Sequence, residues 1–318
     1  MVMFQIVDCH RHYAGSLTAE FIWEVICKHN SQIAHSLSEV RRAISFVDGE
    51  PIGFRNFLDK FNILDAIPWD ESSLRKSTEL VVEQLRSESI DYVWLRLSVT
   101  KYKDALAHWP RWKIIDFVHT ILEDLAPGQT GLILSLKYES PRELQTLLAS
   151  DKLIRDLVVG VDLVGDEKCY SPEFYRALLK PWRDAGKIIF AHVGESCPKE
   201  NVLTAIRDVG IREICHGVNA VDDPRIIELA TENDVCFHMA ISSNYLTGVV
   251  KPGTHPFISC LRNGLKVTLG TDDPVQCSTT LDREYELARG ILNNSEISAD
   301  DAINKLKAEA MFRVAKYR

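Results

Sequence analysis

A chain of 318 residues, 46% hydrophobic and 26% charged, has the composition of a globular protein and the length of one large domain or two ordinary ones. Its formal net charge of -8 argues against general nucleic-acid or membrane-surface binding. No apolar run approaches the roughly 20 residues of a membrane span. No basic flank followed by an apolar stretch opens the chain, so no secretory signal is expected. Eight cysteines (Cys9, Cys27, Cys169, Cys197, Cys215, Cys236, Cys260, Cys277) include no Cys-x-x-Cys pair. That pattern fits reduced thiols in a cytoplasm and argues against a thiolate zinc site of the cytidine-deaminase kind.

The first element is the apolar run Met3-Phe4-Gln5-Ile6-Val7, which predicts a buried strand over 3–8. It leads into Asp8-Cys9-His10-Arg11-His12. Side chains alternate along extended chain, so His10 and His12 are expected on one face, with Cys9 and Arg11 on the other. Two imidazoles on one face are two jaws of a metal clamp, and alone they are weak evidence.

The stretch from Leu17 to about Tyr92 is too long for one helix and predicts helices over 18–30, 36–45, 53–64 and 73–87. In the third of these, Phe54, Phe57, Leu58 and Phe61 share a face. That face reads either as a helix packed on the body of the protein or as an apolar lid over a site. Further strands are expected at 92–97, 131–136, 157–163, 187–191, 213–215, 235–239 and 266–269, with helical periodicity at 112–125, 171–184, 199–209 and 224–233. Eight strands alternating with helices predict a (β/α)8 TIM barrel with a helical insertion at about 17–90, one domain spanning 1–318. An open doubly wound sheet is the alternative, weakened by the absence of Gly-x-Gly-x-x-Gly. The chain runs only a little past Met311-Phe312-Arg313, which leaves little length for an extra closing helix.

The residues capable of chemistry fall at strand ends. His192 opens His192-Val193-Gly194-Glu195, His216 opens His216-Gly217-Val218, and Asp272 and Asp273 follow the last strand. A barrel gathers such ends at one mouth. Three imidazoles and a carboxylate make a plausible zinc set, with the metal lowering the pKa of a bound water to around 7. Glu195 is placed to act as a general acid, and His216 to help deprotonate the water and hold it in line. Of the adjacent Asp272 and Asp273, one carboxylate would take the metal and the other would meet the water or a substrate nitrogen.

At these residues the chain resembles the adenosine deaminase family of the amidohydrolase superfamily. The matching segments run in order: His10-x-His12 with Gly15-Ser16-Leu17, Phe57-Leu58-x-x-Phe61, residues 160–167, His192-Val193-Gly194-Glu195, His216-Gly217, residues 242–248, Thr271-Asp272-Asp273-Pro274, and residues 278–285. The resemblance implies a zinc-dependent hydrolytic deaminase of a small-molecule 6-aminopurine, in which water adds at the amino-bearing carbon and ammonia leaves. It implies one Zn²⁺ per chain, held by His10, His12, His192 and Asp272. Glu195 would protonate the ring nitrogen beside the attacked carbon, and His216 would orient the water. Asp273 would bond the imidazole side of the purine, and the Gly165 N–H would meet a pyrimidine-ring nitrogen. Phe57, Leu58 and Phe61 would cover the ring. No Lys lies within 157–165 to bridge a second metal. Another amide or ester hydrolase on the same barrel, and a non-catalytic purine binder, are the readings weighed against this one. Nucleic-acid and membrane partners are not expected.

Two departures stand out. Relatives acting on adenosine read His-x-His-Leu-Asp-Gly, with the Asp on the ribose 5′-hydroxyl; here the segment is His12-Tyr13-Ala14-Gly15. Alanine offers no side-chain acceptor, so a 5′-modified nucleoside, a nucleotide or a free aminopurine or pterin-like base is expected in place of adenosine. His238 stands where those relatives carry a carboxylate, and reads either as a partner to a ligand or as a core histidine bonded to backbone. Cys9, Cys197, Cys215 and Cys277 are expected to pack. Turnover compared across adenosine, adenine, AMP and 5′-substituted adenosines tests the Ala14 reading: a weak rate on plain adenosine is the expected result, and a clear preference for it would refute the expectation.

Overall fold

The structure is a computed structural model that describes residues 4–28, 32–102, 106, 108–140 and 156–318. Residues 3, 29 and 30 of the expected elements lie outside that set. Eight parallel strands stand side by side in chain order: β1 (Val7–His12), β2 (Tyr92–Leu97), β3 (Thr130–Lys137), β4 (Gly160–Val164), β5 (Ile188–Val193), β6 (Glu213–His216), β7 (Cys236–Met239) and β8 (Lys266–Leu269). Parallel neighbours require crossovers, and helices supply them. Between β1 and β2 lie α1 (Ala19–Lys28), α2 (Leu37–Ile44), α3 (Phe54–Asp59), α4 (Asn62–Ala66) and α5 (Glu71–Ser87); α6 (Arg111–Leu125) joins β2 to β3. The sheet is nearly closed, bridged from β8 to β1 at Arg11 and Asp272. Among the described residues no helix is long and apolar enough to cross a membrane.

Most strands lie where the apolar runs place them, but the first does not. It spans Val7–His12, not 3–8. The polar residues that mark its end in the sequence are buried here: Asp8, His10 and Arg11 have no exposed surface. Each is bonded, Asp8 accepting from Thr271 and Arg11 donating to Gln84 and Glu88 of α5. A register shift between Asp8 and Arg11 also breaks the expected alternation. Cys9 joins the interior cluster with Trp94, Phe190 and Cys215, while Arg11 turns outward to α5. His10 and His12 still converge.

The expected helix over 53–64 is divided, α3 ending at Asp59 and α4 starting at Asn62. The expected 171–184 helix breaks at Leu179, with Pro181 near the start of its second piece, because proline cannot supply an interior helix N–H.

The Ala299–Tyr317 helix closes the end of the barrel away from the strand tips. Arg313, with no exposed surface, donates to Glu213 Oε1 at 3.0 Å and to the Asp234 carbonyl at 3.0 Å. Tyr317 donates to the same Glu213 oxygen, and Glu213 Oε2 meets His238 Nε2 at 2.8 Å. Removing one partner of such a buried pair strands the other charge, at a cost of about 3–5 kcal/mol. Arg313→Leu is therefore expected to lower the free energy of unfolding by about 3 kcal/mol or more in urea titrations, on the scale of a buried pair losing one partner. A loss under about 1 kcal/mol would show that the Glu213 network does not depend on the guanidinium.

Candidate active site at the barrel rim

Two residues of β1, one of β5 and one just beyond β8 meet at the strand tips. His10 Nε2 lies 3.1 Å from His192 Nε2, and His12 Nε2 lies 3.3 Å from it. Asp272 Oδ1 lies 3.2 Å from both His10 Nε2 and His12 Nε2. Four donors about 2.0–2.1 Å from one Zn²⁺ in tetrahedral array stand about 3.3 Å apart. The spacing and the donor types, three imidazole nitrogens and a carboxylate oxygen, fit one cation.

Asp272 is held by its backbone as well. Its N–H donates to the His10 carbonyl at 2.6 Å, and its carbonyl accepts from the His12 N–H at 2.7 Å. It does so with φ at +58°, a left-handed conformation uncommon outside glycine. Ser243 Oγ donates to its second oxygen at 2.6 Å. Asp8 accepts from the N–H and hydroxyl of Thr271 and so fixes the approach to Asp272.

Two of the imidazoles are turned by acceptors behind them. His10 Nδ1 faces the His238 carbonyl at 3.3 Å, and His192 Nδ1 faces Asp162 Oδ1 at 3.1 Å. An acceptor at Nδ1 places the proton there and leaves the Nε2 lone pair for a metal. Arg96 in turn holds Asp162, and Arg96 also meets Cys215 Sγ. Burial, then the Arg96 charge, keeps His10 well below the usual histidine range, so it is neutral. The His238 ring meets neither alternative as expected: it is a core group bonded to the side chains of Glu213 and Thr268 and not to backbone, and only its carbonyl faces His10.

His216 ends β6 with φ at +62°. Burial pushes it down to about 3, so its ring is neutral. The Phe257 N–H can only donate, and it donates to His255 Nδ1. His255 Nε2 then donates to Asn244 Oδ1 at 3.1 Å, and Asn244 Nδ2 donates to His216 Nδ1 at 3.0 Å. His216 thus carries its proton on Nε2, 3.7 Å from Glu195 Oε2 and 3.8 Å from Asp272 Oδ2, which makes it a donor toward the rim and not the base expected of it.

Glu195 lies on a loop organised by Glu167. The buried Glu167 carboxylate accepts from the backbone N–H groups of residues 194–197 and from Asn201 Nδ2. Burial, and then the charge of Asp272, pushes Glu195 up to about 8. Burial and Asp272 also raise Asp273 well above the carboxylate range. Asp273 Oδ1 is buried without a hydrogen-bond partner. Gly15 makes its position possible, since a Cβ there would strike the Asp273 side chain.

A cavity of about 260 Å³ opens above these groups. All the expected site residues but His10 line it: His12, Ala14, Phe57, Leu58, Phe61, Gly165, His192, Glu195, His216, Asp272 and Asp273. His10 lies beneath, with no exposed surface. Phe54, Phe57, Leu58 and Phe61 therefore face the cavity. Gly165, at φ +97°, leaves no room for a side chain beside Glu139. Cys9, Cys197, Cys215 and Cys277 are buried and free.

Sequence reasoning assigned no role to Asp162, Glu167, Asn244 or His255. The first three stand inside the recognised segments, but nothing local says which ligand each one faces.

Eight parallel strands thus carry at their tips a His-His-His-Asp cluster that could hold a metal ion, with a buried acid beside it. The adenosine deaminase family profile matches residues 6–313. An adenosine deaminase of Pectobacterium atrosepticum is 29% identical over 296 residues, 89% of this chain and 85% of the relative. Among solved structures, an adenine deaminase from Arthrobacter aurescens aligns with a TM-score of 0.77 at 18% identity, over 98% of this chain and 99% of that one. An amidohydrolase from Burkholderia ambifaria solved with bound zinc aligns at 0.73 and 20% identity, over 99% and 92%. This chain belongs to the adenosine deaminase family, hydrolases acting on cyclic amidines.

The Glu167 cradle generates a prediction. Glu167→Gln keeps the shape and replaces an acceptor-only group with one that also donates. Hydrogen bonds to charged groups are worth about 1.5–3 kcal/mol, and displacement of a catalytic group by about 1 Å costs about 100-fold. The variant is expected to lose about 10–100-fold in kcat while metal content, read by atomic absorption, stays at the wild-type level.

Proposed function

We propose that the protein hydrolyses the exocyclic amine of a 6-aminopurine, adding water at C6 and releasing ammonia. The observation that carries this reading is Glu195: a buried carboxyl raised to about 8 beside the His-His-His-Asp cluster is a proton donor at neutral pH. An acid there can protonate a ring nitrogen and make the adjoining carbon electrophilic.

His10, His12, His192 and Asp272 would hold one Zn²⁺. A bound zinc supplies an acidic water, with pKa near 7. The other steps fall to the chain's own groups. Glu195 gives its proton to N1. His216, carrying hydrogen on Nε2, donates to the attacking oxygen and fixes its direction. Asp273, kept protonated by burial and by Asp272, donates to N7. The Gly165 N–H donates to N3. Phe57, Leu58 and Phe61 cover the ring and exclude water. The C6–N6 bond then breaks, nitrogen leaves as ammonia with one proton of the added water, the other water proton returns to Glu195, and the purine keeps the oxygen as its C6 carbonyl. Ala14 presents no acceptor to a ribose 5′-hydroxyl, so the N9 substituent is proposed to differ from an unmodified ribose.

Ammonia release from a panel of aminopurines tests the reading with zinc-loaded protein. Glu195→Gln is expected to keep its zinc and lose about 100- to 10,000-fold in rate, the range of general acid–base catalysis. His12→Ala is expected to lose the metal. Normal turnover by the Gln variant would remove Glu195 from the mechanism.

A further inference from the structure

The positions of the site residues fix where a substrate's N9 substituent goes. In the purine orientation proposed above, on which this subsite rests, N1 lies at Glu195 beyond β5, N3 at Gly165 beyond β4, and N7 at Asp273 beyond β8. Around the purine edge, N9 lies between N3 and N7 on the side away from C6. Around the barrel, the tips between β4 and β8 on that side belong to β3, β2 and β1. The sugar and its 5′ group must therefore lie in the β1–β3 arc.

That arc is lined by Ala14 after β1, Ser98 after β2, and Ser135 and Lys137 on β3. Ala14 contributes no charge. Lys137 is half-buried at the wall, and among the described residues no ion pair is recorded for its ammonium. Of the other charged residues lining the cavity here, Arg96 pairs with Asp162 and Asp59 with Arg55, while Glu139 accepts the Asp166 N–H. Ser135 lies two residues before Lys137 on the same face, about 7 Å deeper. It is 4% exposed, and its Oγ has no hydrogen-bond partner. A partly desolvated cation and an orphaned hydroxyl on one strand are costly unless a ligand completes them.

We propose that Lys137 and Ser135 form the subsite for an anionic sugar substituent, and that the substrate is a 6-aminopurine nucleoside 5′-monophosphate. Lys137 pairs with the phosphate as a point charge. Ser135, deeper in the wall, bonds a sugar hydroxyl. A free base would leave both groups unfilled, and an unmodified nucleoside would leave Lys137 without its anion.

Equilibrium binding separates this proposal from the deamination reading, because it needs no turnover. The probes are adenine, adenosine and AMP, with inosine and its 5′-monophosphate as unreactive counterparts, titrated calorimetrically into the zinc-loaded protein. A charge-assisted contact is worth about 10- to 100-fold in affinity. The monophosphate is expected to bind tighter than the nucleoside by that factor, with the preference shrinking as salt rises. Lys137→Met is expected to bring the ratio near one, and Lys137→Arg to restore most of it. Ser135→Ala is expected to weaken nucleoside and nucleotide several-fold relative to adenine. Equal affinity for nucleoside and monophosphate, or a ratio unchanged in Lys137→Met, overturns the subsite, as does failure to bind any probe. Monophosphate preference without ammonia release leaves the subsite standing and removes the deamination reading. Ammonia release with no phosphate preference does the reverse.

Discussion

The site depends on one backbone contact, the bridge that Asp272 makes across the barrel seam. Its N–H and carbonyl close β8 onto β1 between His10 and His12, and its side chain lies 3.2 Å from the Nε2 atoms of both. Closure of the sheet and assembly of the cluster are thus one event. An open sheet would leave Asp272 far from β1, and the donors would not meet. The left-handed conformation at Asp272 is a local cost that the closed barrel enforces.

Around that seam, buried carboxylates position the loops at the barrel mouth. Asp8 accepts the His10 N–H and both donors of Thr271, and so governs the approach to Asp272. Glu167 gathers the backbone of residues 194–197 beneath Glu195. Glu284 accepts the N–H groups of Ile241 and Ser242 and the Thr279 hydroxyl, and so anchors the turn that carries Ser243 and Asn244. A loop at a barrel mouth cannot complete its hydrogen bonds with strand neighbours. A carboxylate, with up to four acceptor positions, can collect several such donors at once and hold the loop still.

The electrostatics of the rim follow from the same packing. Asp272 and Asp273 are adjacent in sequence, yet Asp272 faces the imidazoles and is held well below the carboxylate range against the opposing effect of burial. Asp273 meets no such partner and is raised by burial and by its neighbour. Two identical side chains are thereby pushed apart, one toward the anion and the other toward the neutral acid. The chain Phe257–His255–Asn244–His216 sets a proton position in the same way, by starting from a backbone group that can only donate.

Much of this was legible in the chain itself. Apolar runs of four to eight residues placed most strands to within a few residues, because burial on both faces of a barrel strand demands them. Histidines and aspartates directly after those runs marked the rim, since strand tips of a parallel barrel face one mouth. Ala14 in place of a carboxylate was visible as well. The first strand was not, because Asp8, His10 and Arg11 look like an exit until their distant partners Thr271, Asp272 and Glu88 are known. Glu167 and Asn244 likewise gained meaning only from neighbours far along the chain. Local sequence fixes which stretches must be buried and which residues stand at their ends. Only the tertiary fold decides what each buried polar group faces, because a hydrogen bond or a metal cluster depends on distances between side chains that the order of residues does not contain.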